Sequence, residues 1–224
     1  MAQNADSLLK YMDNLMSAPL DIQATVKIIL AGKSGSVKER EAMMKQKGKY
    51  KKLYRYTKPE SQAGIATLSL PNNVMWLYLP AFGTPTKISI LAKSQTFTGT
   101  DFSYEDMENR PYSERYKPVL LKTNNSQYYA LELTPKLQKT TYSRIVIYMS
   151  KSYYYPVKME FYNKKGTHIK KATYKYKKQG KYWWAEELIM TDLIKQHYTK
   201  ILLTNVKFDQ GLTDDEFRVE VLKQ

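Results

Sequence analysis

The sequence predicts a mainly β protein whose antiparallel sheet curls into a barrel or part of a barrel. Beyond the first twenty residues, apolar and polar residues alternate with period two through many short segments, and Pro, Gly and Asn separate these segments. About a dozen such strands make a sheet that is too large to stay flat. No repeat or linker divides the 224 residues, so we expect one soluble domain spanning residues 1–224.

The first element is predicted to be a helix. From Leu8, apolar residues fall at i, i+1, i+4, i+7 and i+8, which is a single helical stripe. We expect Asp6 to cap this helix, and Pro19 follows its end. The period then changes from 3.6 to two, as a half-buried strand requires.

Strands account for most of the remaining chain. The predicted strands run over residues 22–30, 37–47, 49–56, 65–70, 75–79, 86–91, 119–123, 127–134, 144–149, 156–163, 167–178, 182–194, 198–208 and 218–222. Residues 32–35 read as a turn. Two segments interrupt the rhythm: 97–112 is expected to be a loop running into a short helix, and 209–217 a turn with a capped helical turn.

The charge is strongly positive, and its pattern favours a solvated sheet face. The chain has 36 Lys and Arg against 21 Asp and Glu, a formal charge of +15, and only 6 of the basic residues are Arg. The densest basic stretches, 49–55 and 170–181, alternate Lys with Tyr or apolar residues, as one face of a strand does. We therefore expect no nucleic-acid binding, while transient contact with an anionic membrane surface stays open.

No pattern indicates an enzyme, a cofactor or a metal site. The chain has no Cys, which excludes disulfides, thiolate metal sites and cysteine nucleophiles. The Gly32-Lys33-Ser34 triplet resembles the end of a phosphate-binding loop, but Lys27 stands where the first glycine is required. The longest apolar run, 74–82, is about half of the roughly 20 residues that span a bilayer.

The histidines and the clustered acids have structural explanations. His168 and His197 lie in predicted strands with no carboxylate cluster nearby in the sequence, so we interpret them as surface or packed residues. The acids of residues 101–108 are most simply explained as helix-start residues that the helix dipole favours. We therefore assign no catalytic residue and no metal ligand.

Several segments together resemble a known family. They are AGIA at 63–66, VMWLYLP at 74–80, FTGTDFSYEDM at 97–107, LELTP at 131–135, PVKMEFY at 156–162 and VKFDQGLTDDEF at 206–217. The pair of patterns W-x-Y-x-P and F-x-G-x-D-F-x-Y-E-D-[LM] is the more specific part. From about residue 6 to the end, the chain resembles the LolA-like branch of the LolA/LolB superfamily of outer-membrane lipoprotein-sorting proteins.

The resemblance implies a fold, a location and a function. It implies an incomplete, half-open antiparallel β-barrel of about eleven strands, with short helices forming a lid over a hydrophobic cavity. It implies a Gram-negative periplasmic carrier or chaperone, with its signal peptide removed, that takes acyl chains from an inner-membrane transporter to an outer-membrane acceptor. This branch is broader than the dedicated carriers, so the cargo is open between a lipoprotein and another lipid. We expect a monomer.

Strand parity predicts which side chains line the cavity. Alternate apolar residues on one face of the strands are assigned to the lining, and the first helix and the 97–112 segment to the lid. The predicted lining is Ile22, Val26, Ile28, Leu30, Trp76, Tyr78, Leu131, Leu133, Ile145, Ile147, Met149, Val157, Met159, Phe161, Leu202, Val206 and Phe208. The predicted lid residues are Leu8, Met12, Phe97, Gly99 and Phe102.

A second function stays open for the same fold. Similar half-barrels occur in regulators of envelope stress that detect mislocalised amphiphiles, so a lipid-sensing regulatory module is the alternative to a carrier. A regulator is expected to bind a signalling protein, whereas a carrier exchanges cargo between two membranes.

Overall fold

The computed structural model describes residues 4–33, 35–89, 92–137 and 140–224. Three α-helices and thirteen strands occur within these residues. The helices are α1 Ala5–Met16, α2 Tyr104–Met107 and α3 Tyr112–Arg115. The strands are β1 Asp21–Ala31, β2 Val37–Lys47, β3 Lys51–Lys58, β4 Ala66–Leu70, β5 Val74–Tyr78, β6 Thr86–Lys87, β7 Tyr116–Leu121, β8 Tyr128–Pro135, β9 Arg144–Ser150, β10 Pro156–Tyr162, β11 His168–Gln179, β12 Tyr182–Asp192 and β13 His197–Phe208.

All thirteen strands of the described residues belong to one antiparallel sheet that is not closed into a barrel. Its order is β6-β5-β4-β3-β2-β1-β13-β12-β11-β10-β9-β8-β7. The predicted half-open β architecture is thus confirmed, with thirteen strands in the described residues where the resemblance implied about eleven. Because β6 and β7 lie at opposite edges, the chain between them, which contains α2 and α3, must cross from one edge of the sheet to the other.

The N-cap of helix α1 is Asn4, two residues before the predicted cap. The Oδ1 atom of Asn4, not Asp6, accepts the backbone N–H of Asp6 at 2.8 Å. Leu8, Leu9 and Met12 are buried, so the predicted apolar stripe faces the sheet. Within the described part of the chain, no helix is long and apolar enough to cross a membrane.

The sheet buries apolar side chains on both of its faces. The inner face packs against α1 and the segment 97–115, which together we call the cover. On the outer face, Leu53 and Leu68 form a second cluster with Leu212, Phe217 and Leu222 from the C-terminal segment. The carboxylate of Asp21 holds this segment in place by accepting the backbone N–H groups of residues 210, 211 and 212 at 2.8–3.0 Å.

Two predicted strands differ from the structure. The stretch 218–222 is not a strand, since Val219–Lys223 is a 3₁₀ helix whose Val221 and Leu222 carbonyls accept hydrogen bonds from Arg55. Those carbonyls therefore accept hydrogen bonds from a side chain instead of from the backbone N–H groups of a neighbouring strand. The predicted strand over 86–91 is limited to β6, and its residues 90 and 91 lie outside the described residues, as does Ser34 of the predicted turn.

Candidate functional site: the covered inner face

The inner face carries a continuous apolar surface. Most of the predicted lining residues are buried in it or packed against it. The buried members are Val26, Ile28, Leu30, Leu131, Leu133, Ile145, Ile147, Met149, Met159, Phe161 and Val206, and the partly buried ones are Ile22 and Phe208. Parity placed most of them together because one face of β1, β8, β9 and most of β10 carries an apolar or aromatic residue at every second position.

Trp76 and Tyr78 lie on the other side of the sheet from the predicted one. They pack in the outer cluster beside the C-terminal segment, while Met75 and Leu77 of the same strand face inward. Every residue of β5 is apolar or aromatic. Strand parity alone therefore could not predict which face of β5 points inward. The C-terminal segment, which covers the outer face there, determines that Trp76 and Tyr78 point outward.

Bulges move two further predicted lining residues. In β13 an extra residue follows the stretch 201–203, and Asn205 has a φ of +51°. Leu202 therefore stands opposite the half-buried Lys27, which pairs with Glu39, while Ile201 faces the inner cluster. In β10 the pairing with β9 shifts between residues 156 and 158, which leaves Val157 as the extra residue of a bulge. Val157 is half-buried and belongs to neither cluster.

Sequence reasoning missed part of the inner face. Met44, Tyr54 and Tyr56 of β2 and β3 are buried there, as are Met75 of β5 and Met190 of β12. The signal was present in β3, where tyrosines alternate with a leucine and an arginine. The many lysines around these tyrosines led us to interpret the stretch as a solvated strand face instead of a lining strand.

The cover fills the inner face with its own side chains. Leu8, Met12, Phe97 and Phe102, four of the predicted lid residues, are each no more than 3% exposed. The Phe97 ring lies edge-on to Tyr54, with 5.6 Å between ring centroids, and stacks on Tyr56 at 6.2 Å. The fifth predicted lid residue, Gly99, has a φ of +75° in the loop beside them.

Helix α1 is attached to the rest of the cover through one carboxylate. Asp13 is buried, and its two oxygens accept the backbone N–H groups of Tyr112 at 2.9 Å and Ser113 at 2.8 Å. The hydroxyl of Tyr155 donates to the carbonyl of Leu15 at 2.9 Å. Three hydrogen bonds, two from α3 and one from Tyr155, therefore hold the C-terminal half of α1 in place.

The loop of the cover is attached at the far end of the sheet by Asp101. Its Oδ2 atom lies 2.7 Å from Nδ1 of His197 and accepts the hydroxyl of Thr199 at 2.6 Å. Its carbonyl accepts the ammonium of Lys170 at 2.6 Å. His197 is thus a packed residue, and its carboxylate partner could not be found from its sequence neighbours because Asp101 lies 96 positions away.

The other acids of the cover also make structural hydrogen bonds. Glu105 accepts the N–H and hydroxyl of Thr141 at 2.9 and 2.7 Å. Asp106 forms a capping box with Ser103 and accepts the hydroxyl of Tyr142 at 2.8 Å. Burial raises the pKa of the Asp106 carboxyl, and the charge of Lys170 and these hydrogen bonds oppose the rise. The described residues contain no cluster of three or more potential metal ligands.

A third attachment joins the loop to β2 and β3. The guanidinium of Arg40 donates to the carbonyl of Thr98 at 2.7 Å, and the hydroxyls of Tyr56 and Thr98 lie 2.6 Å apart. The cover is therefore held by hydrogen bonds at its margins and by apolar side chains at its centre. It shares no strand pairing with the sheet among the described residues.

Solved structures share this architecture over nearly the whole chain. A domain from Vibrio parahaemolyticus that is named for outer membrane lipoprotein sorting matches with a TM-score of 0.90 and 29% identity, covering 98% of both chains. A DUF1329 family protein from Desulfovibrio piger matches with a TM-score of 0.89 and 26% identity, covering 97% of both. A LolA superfamily protein from Nitrosomonas europaea has the same fold, with a TM-score of 0.82, 24% identity and coverage of 97% and 98%.

A protein-family model described as "Uncharacterized protein" matches residues 48–224. The chain belongs to the LolA-like proteins. The resemblance seen in the sequence is thus confirmed. Among curated proteins, no sequence match was found.

One end of this LolA-like sheet carries an open groove lined by aromatic and basic side chains. The groove has a volume of about 760 Å³ and lies between α1 and the turns that follow β9 and β11. Tyr153 and Trp183 stack in it, with ring centroids 4.9 Å apart and planes 16° apart. Lys178 lies 6.0 Å from the Trp183 ring. Neither Lys178 nor Lys181, which also lines the groove, forms an ion pair among the described residues.

Proposed function

We propose that this LolA-like protein is a periplasmic carrier that holds the acyl chains of a lipoprotein or lipid on its inner face and moves them between the inner and outer membranes. One observation carries the proposal. A large apolar sheet face is covered by a helix and a loop that are attached through side-chain hydrogen bonds, instead of by a second sheet. Such a cover separates from the face without breaking any strand pairing.

The closed cover provides a way to hold cargo without trapping it. Burying an acyl chain of about fourteen methylenes is worth on the order of 11 kcal/mol, at about 0.8 kcal/mol for each methylene. When cargo enters, it replaces Leu8, Met12, Phe97 and Phe102, which already bury apolar surface there. Because the acyl chain replaces cover side chains that were already buried, only part of the free energy of burying the chain appears as binding affinity. An acceptor that buries the chain better can therefore remove it from the carrier.

The contacts at the margin of the cover suit repeated opening. The groups attached to Asp13, Asp101 and Thr98 are hydrogen-bonding groups that water can satisfy when the cover moves away. Gly99, with its positive φ, provides a residue about which the loop can turn. We infer that the loop and α1 move as the lid.

Delivery requires contact with a membrane or with proteins in it. The groove at the end of the sheet combines stacked Tyr and Trp rings with lysines that form no ion pair with any described residue. Aromatic rings and lysines of this kind settle at the head-group level of anionic bilayers. We propose that this end approaches the membrane while an inner-membrane transporter or an outer-membrane acceptor exchanges the cargo.

A disulfide lock tests the carrier proposal. Asp101 and Thr199 lie in direct contact, since the N–H of Asp101 donates to the Thr199 hydroxyl at 2.9 Å. Because the chain has no cysteine, the double variant Asp101→Cys/Thr199→Cys can form only one intramolecular disulfide. We expect the reduced variant to bind a fluorescent acyl probe and the oxidised variant to bind it at least about tenfold more weakly.

The same protein in two redox states is its own control, and wild-type protein treated with the oxidant shows any effect of the reagent. Equal binding by both redox states would mean that the cover does not need to move. Failure of wild-type protein to bind acyl probes at all would remove the carrier proposal and leave the regulatory module as the function to test.

A further inference from the structure

One row of the inner face is polar. Gln46, Lys52 and Ser69 are directly opposed partners on β2, β3 and β4. The row continues with Ile22 on β1 and Met75 on β5. Because directly opposed residues of antiparallel strands point to the same face, three polar side chains lie side by side between apolar ones.

The position of Lys52 on the inner face follows from its own strand. Tyr54 and Tyr56 share its parity and are buried in the inner cluster. Leu53, one position away, belongs to the outer cluster. No bulge interrupts the pairing of residues 51–56 with β2, so the alternation holds from Tyr56 back to Lys52.

Lys52 is distinguished from the lysines around it by its lack of a counter-ion. Lys45, Lys47 and Lys51 point to the outer side, where they form ion pairs with Glu216 or Asp214 of the C-terminal segment at 2.5–2.8 Å. Lys52 forms no ion pair and no hydrogen bond with any described residue, and the Ser69 hydroxyl beside it also has no side-chain partner there.

No charged neighbour offsets the free-energy cost of burying the Lys52 ammonium. Desolvation alone lowers the pKa of Lys52 from 10.5 to about 8, with no contribution from any charged neighbour. A partly buried cation that lacks an anion raises the free energy of the folded protein, and an anion placed beside it recovers that free energy. Lys52 lies within an apolar face that the proposed function assigns to acyl chains.

We propose that Lys52 binds the anionic head group of the amphiphile that the inner face carries, with Gln46 and Ser69 as additional hydrogen-bond donors. The proposal rests on the proposed function and narrows its cargo to amphiphiles whose head group carries a carboxylate or phosphate. The acyl chain then lies on the apolar surface that begins at Ile22 and Met75, on either side of the polar row.

Competition between two ligands with the same chain tests this assignment. In this assay, palmitate and hexadecanol each compete with a neutral fluorescent probe for wild-type protein near neutral pH, and the two inhibition constants are compared. A charge-assisted hydrogen bond in a partly dry site favours palmitate by about ten- to a hundredfold. In Lys52→Met we expect palmitate to fall to the affinity of hexadecanol, while hexadecanol itself binds as in wild type. Lys52→Gln, which keeps hydrogen-bond donors but no charge, is expected to lose most of the preference.

The matched control is Lys51→Met, one residue away and on the opposite face. It makes the same change in net charge, and Asp214 keeps Lys47 as a partner. We expect it to retain the preference for palmitate, and thermal unfolding checks that each variant is folded. If Lys51→Met loses the preference equally, the effect is one of net charge and the assignment fails.

The failure of this inference is distinguishable from failure of the proposed function. Wild-type protein that binds palmitate and hexadecanol with equal affinity overturns the role of Lys52 and leaves the carrier in place. Wild-type protein that binds neither ligand overturns both.

Discussion

The substitution Lys52→Met is expected to make the protein more stable, and by an amount that depends on pH. Lys52 has a folded-state pKa of about 8 against 10.5 for an ordinary lysine. Between these values the unfolded chain binds more protons than the folded one, so the stability of the wild type rises with pH. Below the folded pKa both states are protonated, and the full cost of the buried ammonium is present.

The magnitude follows from the difference in pKa. At about 1.4 kcal/mol for each pKa unit, the ammonium costs about 3 kcal/mol near pH 7 and about 1 kcal/mol near pH 10. Lys52 is partly exposed, and screening by water reduces these values, so we expect a gain of about 1 to 3 kcal/mol for Lys52→Met near neutral pH. Methionine is unbranched like lysine and keeps the contacts of the stem.

Urea unfolding of both proteins across this pH range measures the effect. The informative quantity is the difference in free energy of unfolding between variant and wild type, since the tyrosines and the other lysines titrate equally in both. We expect this difference to shrink steadily as the pH rises. A difference that stays constant would refute the reasoning, because it would show that water or another group already compensates the ammonium.

Three further predictions follow from the described contacts. Asp13→Ala removes the acceptor for the N–H groups of Tyr112 and Ser113, so we expect a loss of about 2 to 4 kcal/mol in stability and faster hydrogen exchange in α1; unchanged exchange would contradict the attachment. Lys178→Gln with Trp183→Ser is expected to weaken binding to phosphatidylglycerol vesicles, as sedimentation measures; binding equal to that of wild type would exclude the groove from membrane contact. Hydrogen bonds from Lys47 and Lys51 lower the pKa of Asp214 to about 2. Its contribution to stability is fully present above about pH 4 and is lost as the pH falls from there through about 2, so Asp214→Asn is expected to flatten acid unfolding in this range.

Local alternation in the sequence was sufficient to predict most of the sheet. On one face of β1, β8 and β9 every second residue is apolar or aromatic, and burial requires that face to point inward. The helical stripe of α1 and the capping box before α2 are equally local signals. These features depend on residues within a few positions of one another.

The C-terminal 3₁₀ helix and the orientation of Leu202 depend on contacts between distant parts of the chain, so local sequence patterns could not predict them. The C-terminal residues 218–222 have a strand-like composition, but the outer face of β3 and β4 and the side chain of Arg55 hold them as a 3₁₀ helix. A single extra residue in β13 turned Leu202 outward, because each one-residue shift exchanges the two faces of a strand.

What the sequence by itself determined is the class of fold, the sheet's apolar face and the resemblance to LolA-like proteins. Tertiary structure alone decided how that face is covered and which charges are compensated. Asp101 meets His197 across 96 residues, and of the adjacent lysines Lys51 and Lys52 only Lys51 has a counter-ion within the described part of the chain. The physical reason is that an ion pair or an attachment depends on what lies within a few ångströms in space, and in this sheet the partners come from distant parts of the chain.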